Sequence, residues 1–226
     1  MCKLSKVNIA IDGPAGAGKS TIARIISRGL GVIYLDTGAM YRAVALKAIR
    51  NNLDPSDQST ISDLVKDIDV CIDYSSGEQR IMLDGEDITS KIRTPEVSVG
   101  ASKVAVIPEV RIKMVELQRA IATKNSVVMD GRDIGTYVLP DADFKFFLTA
   151  SIDERAKRRY LEQVQKGLEG VCLDEVKKDI EFRDRNDSNR KLAPLSKASD
   201  AVEIDTTELT IEQAAEKIIN YIKDKR

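Results

Sequence analysis

The stretch "AIDGPAGAGKST", residues 10–21, decides the fold, because it contains a phosphate-binding pattern between a strand and a helix. Gly13, four further residues, then Gly18, Lys19 and Ser20 match G-x-x-x-x-G-K-[ST], a loop whose backbone N–H groups surround nucleotide phosphates. Glycine suits such a loop because it tolerates positive φ and lets the backbone approach an anion closely. The pattern predicts a triphosphate site in which Lys19 reaches the β- and γ-phosphates and Ser20 ligates magnesium.

The segments before and after the loop have the patterns of the strand and the helix that such a loop connects. "KVNIAI" at 6–11 is a compact apolar run typical of a buried strand, and "STIARIISRGL" at 20–30 has apolar residues at helical spacing. An ordinary glycine-rich turn between a strand and a helix is the alternative interpretation of the same eight residues.

The amino-acid composition is that of an ordinary soluble protein. The chain has 226 residues, and 35 Lys+Arg against 36 Asp+Glu give a formal net charge of −1, which favours neither nucleic acid nor an anionic membrane. The cysteines at 2, 71 and 172 form no C-x-x-C pair, and without histidine they suggest no zinc site. No apolar run approaches 18 residues. We expect a cytoplasmic protein, with a monomer as the default oligomeric state.

Short apolar runs alternate with helix-like segments along most of the chain. This rhythm predicts an α/β fold in which helices cover both faces of a parallel sheet. The last helix has a possible capping box, since Thr210 precedes Gln213 by three residues. The predicted strands are 7–11, 32–35, 126–129, 144–148 and 201–204, and the predicted helices are 19–30, 38–51, 95–106, 109–124, 152–166, 174–186 and 210–223.

One stretch departs from this alternation. Between about 62 and 93, "DVCIDYSSGEQRIMLDGEDI" predicts two strands around a Ser-Ser-Gly turn, which is typical of an antiparallel hairpin. We interpret it as a small inserted subdomain, and a hairpin on the edge of the main sheet is the alternative.

Features outside the loop narrow the reaction class. "TKNS" at 123–126 lacks the aspartate of a guanine-reading N/T-K-x-D loop, and "VVMDGRDIG" at 127–135 follows Asp130 with an arginine rather than with the second acid of an ATP-driven machine. Arginines recur where loops leave the predicted sheet. Such groups would bring a second phosphate up to a triphosphate, although each could also be a solvated surface charge.

The segment "RDRNDSNR" at 183–190 is a further candidate site. If it is helical, Arg183, Asp187 and Arg190 share one face, either for binding or as a structural salt-bridge cluster. The absence of histidine fits an acceptor that is itself a phosphate, because a phosphate oxygen is already ionised and needs no general base. An aspartate acting as the base is the alternative.

Four motifs together resemble bacterial cytidylate kinase: "GPAGAGKST", "YLDTGAMYRA", "DGRDIGT" and "RDRNDSNRKLAPL". The resemblance covers the whole chain. It implies transfer of the γ-phosphoryl of ATP to CMP or dCMP, with Mg²⁺, in pyrimidine nucleotide metabolism. It also implies a P-loop nucleoside monophosphate kinase fold with a five-stranded parallel sheet, a small antiparallel monophosphate-binding insertion at 62–104 and a lid at about 152–170. The core would then be 1–61, 105–151 and 171–226.

The resemblance also implies roles for individual residues. ATP phosphates would be bound by Gly13, Pro14, Ala15, Gly16, Ala17, Gly18, Lys19, Ser20 and Thr21, with Mg²⁺ on Ser20. Lys19, Arg132 and Arg190 would be catalytic. CMP would be bound by Thr37, Arg42, Ser102, Arg111, Arg132, Asp133, Arg183, Asp187 and Arg190, of which Ser102, Arg111 and Asp133 read the cytosine edge. Lid arginines would be Arg155, Arg158 and Arg159.

The residues alone leave two other functions open. One is a nucleotide-dependent switch or hydrolase that controls a partner. The other is a kinase for a different small acceptor.

Overall fold

The computed structural model describes residues 6–74, 79–165 and 167–225. Cys2 and the predicted Ser-Ser-Gly turn at 75–77 lie outside these ranges. The chain divides into two compact units, one made of Met1–Tyr34 with Asn125–Arg226 and the other of Leu35–Lys124. The boundary between them falls inside the second strand of the large sheet.

The first unit contains the strands and helices that carry the phosphate loop. In chain order these are β1 (Asn8–Asp12), α1 (Lys19–Leu30), β2 (Ile33–Asp36, which crosses the boundary), β6 (Val127–Gly131), β7 (Phe144–Thr149), α6 (Ile152–Gln165), α7 (Leu173–Ser188), β8 (Val202–Asp205) and α8 (Ile211–Asp224). A turn of π-helix, Ile134–Val138, follows β6.

The large sheet has five strands in the order β2-β6-β1-β7-β8. β1 pairs in parallel with β6 from Asn8 opposite Val127 to Asp12 opposite Gly131, and in parallel with β7 on its other side. β7 pairs in parallel with β8. Because parallel strands end at the same edge, the carboxyl ends of β1, β6 and β7 bring their loops together. The predicted five-stranded parallel sheet is confirmed.

The core of this unit lies between the sheet and the helices α1 and α8. Ile9 and Ile11 of β1 are fully buried with Ile22 of α1 and Ile218 of α8. β1 therefore has the nearly continuous apolar character of a strand that is covered on both faces. The predicted capping box at Thr210 is also present, so α8 begins one residue later than the prediction of 210.

The second unit is helical apart from a three-stranded sheet. Its elements are α2 (Thr37–Arg50), α3 (Gln58–Lys66), β3 (Val70–Asp73), β4 (Arg80–Leu83), β5 (Glu86–Asp87), a 3₁₀ turn (Lys91–Arg93), α4 (Pro95–Val104) and α5 (Pro108–Lys124). β3 and β4 pair antiparallel, as do β4 and β5. The predicted small antiparallel element is confirmed.

α3 was not predicted from the sequence, although the signal for it was present. The side chain of Asp57 accepts hydrogen bonds from the N–H groups of Ser59 and Thr60, which is a normal N-cap. Ile61 and Val65 then follow at i, i+4 spacing and are buried. The predicted division into core, insertion and lid remains a prediction.

Within the described ranges, no helix has both the length and the apolar character needed to cross a membrane.

Candidate active site

The phosphate loop runs from the end of β1 to the start of α1. Gly13 has φ 146°, and a Cβ atom there would lie 2.1 Å from the carbonyl oxygen of Leu148, so no side chain fits. Gly18, with φ 83°, is the N-cap of α1 and has no side chain that could bond the first N–H groups of the helix. N–H groups left in this way at a helix N-terminus favour an anion.

Lys19, the first residue of α1, is buried in this loop. Its side chain is 5% exposed, and its Nζ donates to the carbonyl oxygen of Pro14 at 2.6 Å. Burial, followed by the nearby guanidinium of Arg132, lowers the pKa of Lys19 to about 7, against the opposing effect of carboxylates that include Asp130 and Asp187. Its surroundings therefore disfavour the charged form of Lys19, and an anion bound beside Nζ would favour it.

Ser20 connects the loop to the end of β6. Its Oγ donates to Oδ2 of Asp130 at 2.7 Å, and the hydroxyl of Tyr34 donates to Oδ1 of the same carboxylate at 2.9 Å. A hydroxyl beside a carboxylate offers the hard oxygen ligands that Mg²⁺ prefers, so these residues fit that ion. Asp130 was not among the site residues predicted from the sequence. Its position at the end of a core strand was the signal.

Asp12 is a second carboxylate that the sequence analysis missed. It ends β1 and is buried, and its two oxygens accept hydrogen bonds from the N–H groups of Ile134 and Gly135 at 2.8 and 2.7 Å. Burial raises the pKa of Asp12 to about 7, although these hydrogen bonds act in the opposite direction. Asp12 thus ties the start of the phosphate loop to the turn that follows Arg132 and Asp133.

Three predicted residues form one buried cluster. Nε of Arg132 donates to Oδ2 of Asp187 at 2.6 Å, and Arg190 donates to the other oxygen of the same carboxylate. Burial acts to raise the pKa of Asp187, but the two guanidiniums hold it below its usual value. Asp187 thus fixes two arginines side by side, which suits them to bind phosphate oxygens.

The predicted alignment of Arg183, Asp187 and Arg190 holds only in part. α7 ends at Ser188, so Arg190 lies beyond the helix and reaches Asp187 from the following turn. Arg183 forms an ion pair with Asp179, one turn earlier in α7, at 2.8 Å.

The predicted lid arginines all bond within the first unit. Arg155 is 8% exposed and is directed toward the phosphate loop. Arg158 donates to the carbonyl oxygen of Thr206 at 2.6 Å, and Arg159 pairs with Glu162 at 2.8 Å. Their role in a lid remains a prediction.

The second unit carries the other four predicted residues. Thr37 begins α2 and is buried, after the N-cap Asp36, which also accepts from Nη2 of Arg42 at 2.8 Å. Arg111 of α5 is fully buried, with Nη1 donating to the carbonyl oxygen of Ala105 at 3.3 Å. Its guanidinium also lies 5.7 Å from the centre of the Tyr41 ring. Ser102, on α4, is half-buried.

The chain is similar in sequence to known proteins and similar in fold to a solved structure. The sequence model of a family described as "Cytidylate kinase" matches residues 9–224. A cytidylate kinase of Caldicellulosiruptor bescii is 52% identical over 219 residues, covering 96% of this chain and 95% of the relative. One from Halalkalibacterium halodurans is 47% identical over 222 residues, covering 98% and 100%. An uncharacterized protein from Eubacterium ventriosum shares the fold, with a TM-score of 0.54 at 15% identity, over 96% of this chain and 99% of the other.

Proposed function

We propose that this chain, which belongs to the cytidylate kinase family, transfers the γ-phosphoryl group of ATP to CMP or dCMP, giving ADP with CDP or dCDP. The observation that carries this function is the identity of about half of all residues to curated cytidylate kinases over nearly the whole chain. The chain is thus an enzyme, a (d)CMP kinase of pyrimidine nucleotide metabolism.

The donor is proposed to bind on the phosphate loop, from Gly13 to Thr21. The phosphate oxygens would be bound by the N-terminus of α1 and by the loop N–H groups other than that of Ala15, which donates to Asp184. Lys19 would sit beside the moving γ-phosphoryl group, where its charge is needed most in the transition state. Ser20 would hold Mg²⁺, with Asp130 accepting from the hydroxyl or binding the ion itself. Bound Mg²⁺ would neutralise charge on the β- and γ-phosphates.

The acceptor phosphate is proposed to bind Arg42, Arg132 and Arg190. Asp187 supports this role because it holds the last two guanidiniums in fixed positions before any ligand arrives. The Nε of Arg42 is buried and has no hydrogen-bond partner among the described residues, so it can donate to a ligand oxygen. A phosphate oxygen of CMP is ionised at neutral pH, so attack on the γ-phosphorus needs no side chain as a base.

Recognition of the nucleoside is proposed for a further set of residues. Asp133 would accept from the exocyclic amino group of cytosine, because an ionised carboxylate only accepts hydrogen bonds. Ser102 and Arg111 would satisfy the ring nitrogen and the carbonyl. Thr37, Arg183 and Asp187 would lie near the sugar. The Nε of Arg183 is buried and without a partner in the described part of the chain, which leaves it a donor for a ligand.

Arg155, Arg158 and Arg159 stay proposed as parts of a lid over ATP. We also propose a cytoplasmic monomer whose partners are its small-molecule substrates. Sedimentation of the purified protein would test the oligomeric state.

A panel of acceptors tests the function directly. CMP, dCMP, UMP, AMP, GMP and shikimate are each incubated with ATP and magnesium, and ADP and the phosphorylated acceptor are both measured. We expect CMP and dCMP to be phosphorylated with ADP in equal amount. ATP loss without any phosphorylated acceptor would instead support a nucleotide-dependent switch or hydrolase.

A further inference from the structure

In the phosphate loop, the N–H and the carbonyl oxygen of Ala15 both form hydrogen bonds with side chains, one from α7 and one from α6. The N–H of Ala15 donates to Oδ1 of Asp184, on α7, at 3.0 Å. The carbonyl oxygen of Ala15 accepts from Nη1 of Arg155, on α6, at 2.9 Å. The same Nη1 donates to Oδ2 of Asp184 at 2.5 Å, which closes a ring of three hydrogen bonds.

The position of Arg155 in this ring is fixed from a third side. Its Nε donates to the carbonyl oxygen of Ala150, just after β7, at 3.0 Å. The guanidinium of Arg155 is therefore hydrogen-bonded to the protein through both Nε and Nη1. Its aspartate partner is also largely covered, with a side chain 21% exposed, so the ion pair is shielded from most of the solvent that weakens surface pairs.

Apolar and steric contacts support the same attachment. Ala15 belongs to a small buried cluster with Ala156 of α6 and with Val176 and Ile180 of α7. At Gly16, an added Cβ would lie 3.0 Å from Cβ of Arg155, so the loop backbone packs directly on α6. The tip of the phosphate loop is thus built onto the α6–α7 pair by two independent kinds of contact.

Asp184 also lies among residues proposed to bind the acceptor. It follows Arg183 directly and precedes Asp187 by three positions in α7. None of the three hydrogen bonds of the ring involves a group proposed to contact CMP.

We propose that Asp184 is a positioning residue, which with Arg155 holds Ala15 in the conformation that binds the phosphates of ATP. The proposal rests on the assignment of the loop as the donor site. Loss of the Asp184 carboxylate leaves the Ala15 N–H and the Arg155 guanidinium without their shared partner, and buried groups left in this way are costly. The loop then has to be ordered by ATP itself, so ATP affinity falls.

The experiment compares Asp184→Ala and Asp184→Asn with a matched control. Asp153→Asn is that control, because Asp153 of α6 pairs with Lys177 of α7 at 2.5 Å and so joins the same two helices through an exposed pair. For each protein we measure the Kd of ATP by calorimetry without acceptor, KM for ATP and for CMP, kcat, and the unfolding temperature.

We expect Asp184→Ala to raise the Kd and KM of ATP by about tenfold or more. The KM of CMP at saturating ATP should change much less. Asp184→Asn keeps an oxygen for the Ala15 N–H but loses the charge opposite Arg155, so its loss should be intermediate. Combining Arg155→Met with Asp184→Ala should cost less than the sum of the two single changes. Asp153→Asn should match the wild type in every nucleotide measurement.

The proposal is overturned if folded Asp184→Ala and Asp184→Asn both bind ATP within about twofold of the wild type. It is equally overturned if Asp153→Asn weakens ATP binding as much as they do. If Asp184→Ala does not fold, Asp184→Asn decides by the same criterion. ATP binding is measured without acceptor, so a wild-type protein that binds ATP but phosphorylates no CMP would contradict the proposed function and leave this test intact.

Discussion

Binding of ATP is expected to charge Lys19. In the protein without nucleotide, burial and Arg132 lower the pKa of Lys19 to about 7. At pH 8 about nine tenths of this lysine is therefore neutral. A triphosphate placed against Nζ favours the charged form and raises the pKa again, because an opposite charge within a few ångströms has this effect.

The magnitude follows from these protonation states. Binding at pH 8 should take up about 0.5 to 1 proton from the solvent at Lys19 if the bound lysine is fully charged, as its model-peptide pKa of roughly 10.4 would make it. Asp12 is a second group whose pKa lies near this pH, and an anion bound beside Lys19 would raise that pKa, because the two side chains interact electrostatically. Asp12, with a pKa of about 7, is already mostly ionised, and so are the phosphates of ATP.

Calorimetry measures this uptake. ATP is titrated into the protein at pH 8 in several buffers with different enthalpies of ionisation, and the slope of observed enthalpy against buffer enthalpy gives the number of protons. Lys19→Met should remove most of this slope while an affinity that can be measured remains. A wild-type slope near zero with normal ATP affinity would refute the lowered pKa of Lys19, its placement beside the phosphates, or both.

Four substitutions give further tests. Lys19→Ala should lower kcat by roughly a hundredfold or more with the fold intact, which is the effect of losing one preorganised donor. Turnover close to that of the wild type would mean that the lysine has only a structural role. Ser20→Ala should raise the Mg²⁺ concentration needed for half-maximal activity; an unchanged titration would remove Ser20 from the metal site. Asp133→Ala or Asp133→Asn should reduce activity on CMP much more than on UMP, which lacks the amino group, so an equal loss on both would contradict base reading. Gly13→Ala should destabilise the protein by about 3 kcal/mol or more in denaturant unfolding, because its Cβ would overlap the Leu148 carbonyl. Gly31→Ala is the control, since Gly31 also has positive φ but an added Cβ meets nothing within 4 Å, and its cost should stay near 1 kcal/mol.

The fold was predictable where the signal was local. Apolar runs such as 7–11 and 144–148 identified strands of the large sheet, although only the first of them is almost wholly buried. Helical spacing identified the helices between the strands. The phosphate loop was predictable because its chemistry is fixed by residue types at short spacing. α3 was missed although its signal is local, because Asp57, Ile61 and Val65 already have the pattern of a capped amphipathic helix.

The missed carboxylates have partners far away in the sequence. Ser20 and Asp130 are 110 positions apart, Gly135 and Asp12 are 123 apart, and Ala15 and Asp184 are 169 apart. A lone aspartate in a sequence has no periodicity or spacing that distinguishes a buried acceptor from a solvated surface charge. The position of Asp130 at the end of a core strand marked it as a candidate, but only the pairing of strands and helices decides which donor each carboxylate meets.

The carboxylates explain how the site can hold so many cations before any substrate is bound. Lys19 lies close enough to Arg132 for that guanidinium to lower its pKa, which is a direct sign of repulsion between like charges. Asp187 offsets part of this repulsion by binding both Arg132 and Arg190, one through each of its carboxylate oxygens. Lys19 is left to a neutral carbonyl, that of Pro14. A phosphate bound on the loop would supply the negative charge that this lysine lacks, and it would do so without moving the arginines that Asp187 already holds. Burial lowers the pKa of Lys19 more than the charge of Arg132 does, and a bound phosphate would act against both effects by favouring the charged lysine.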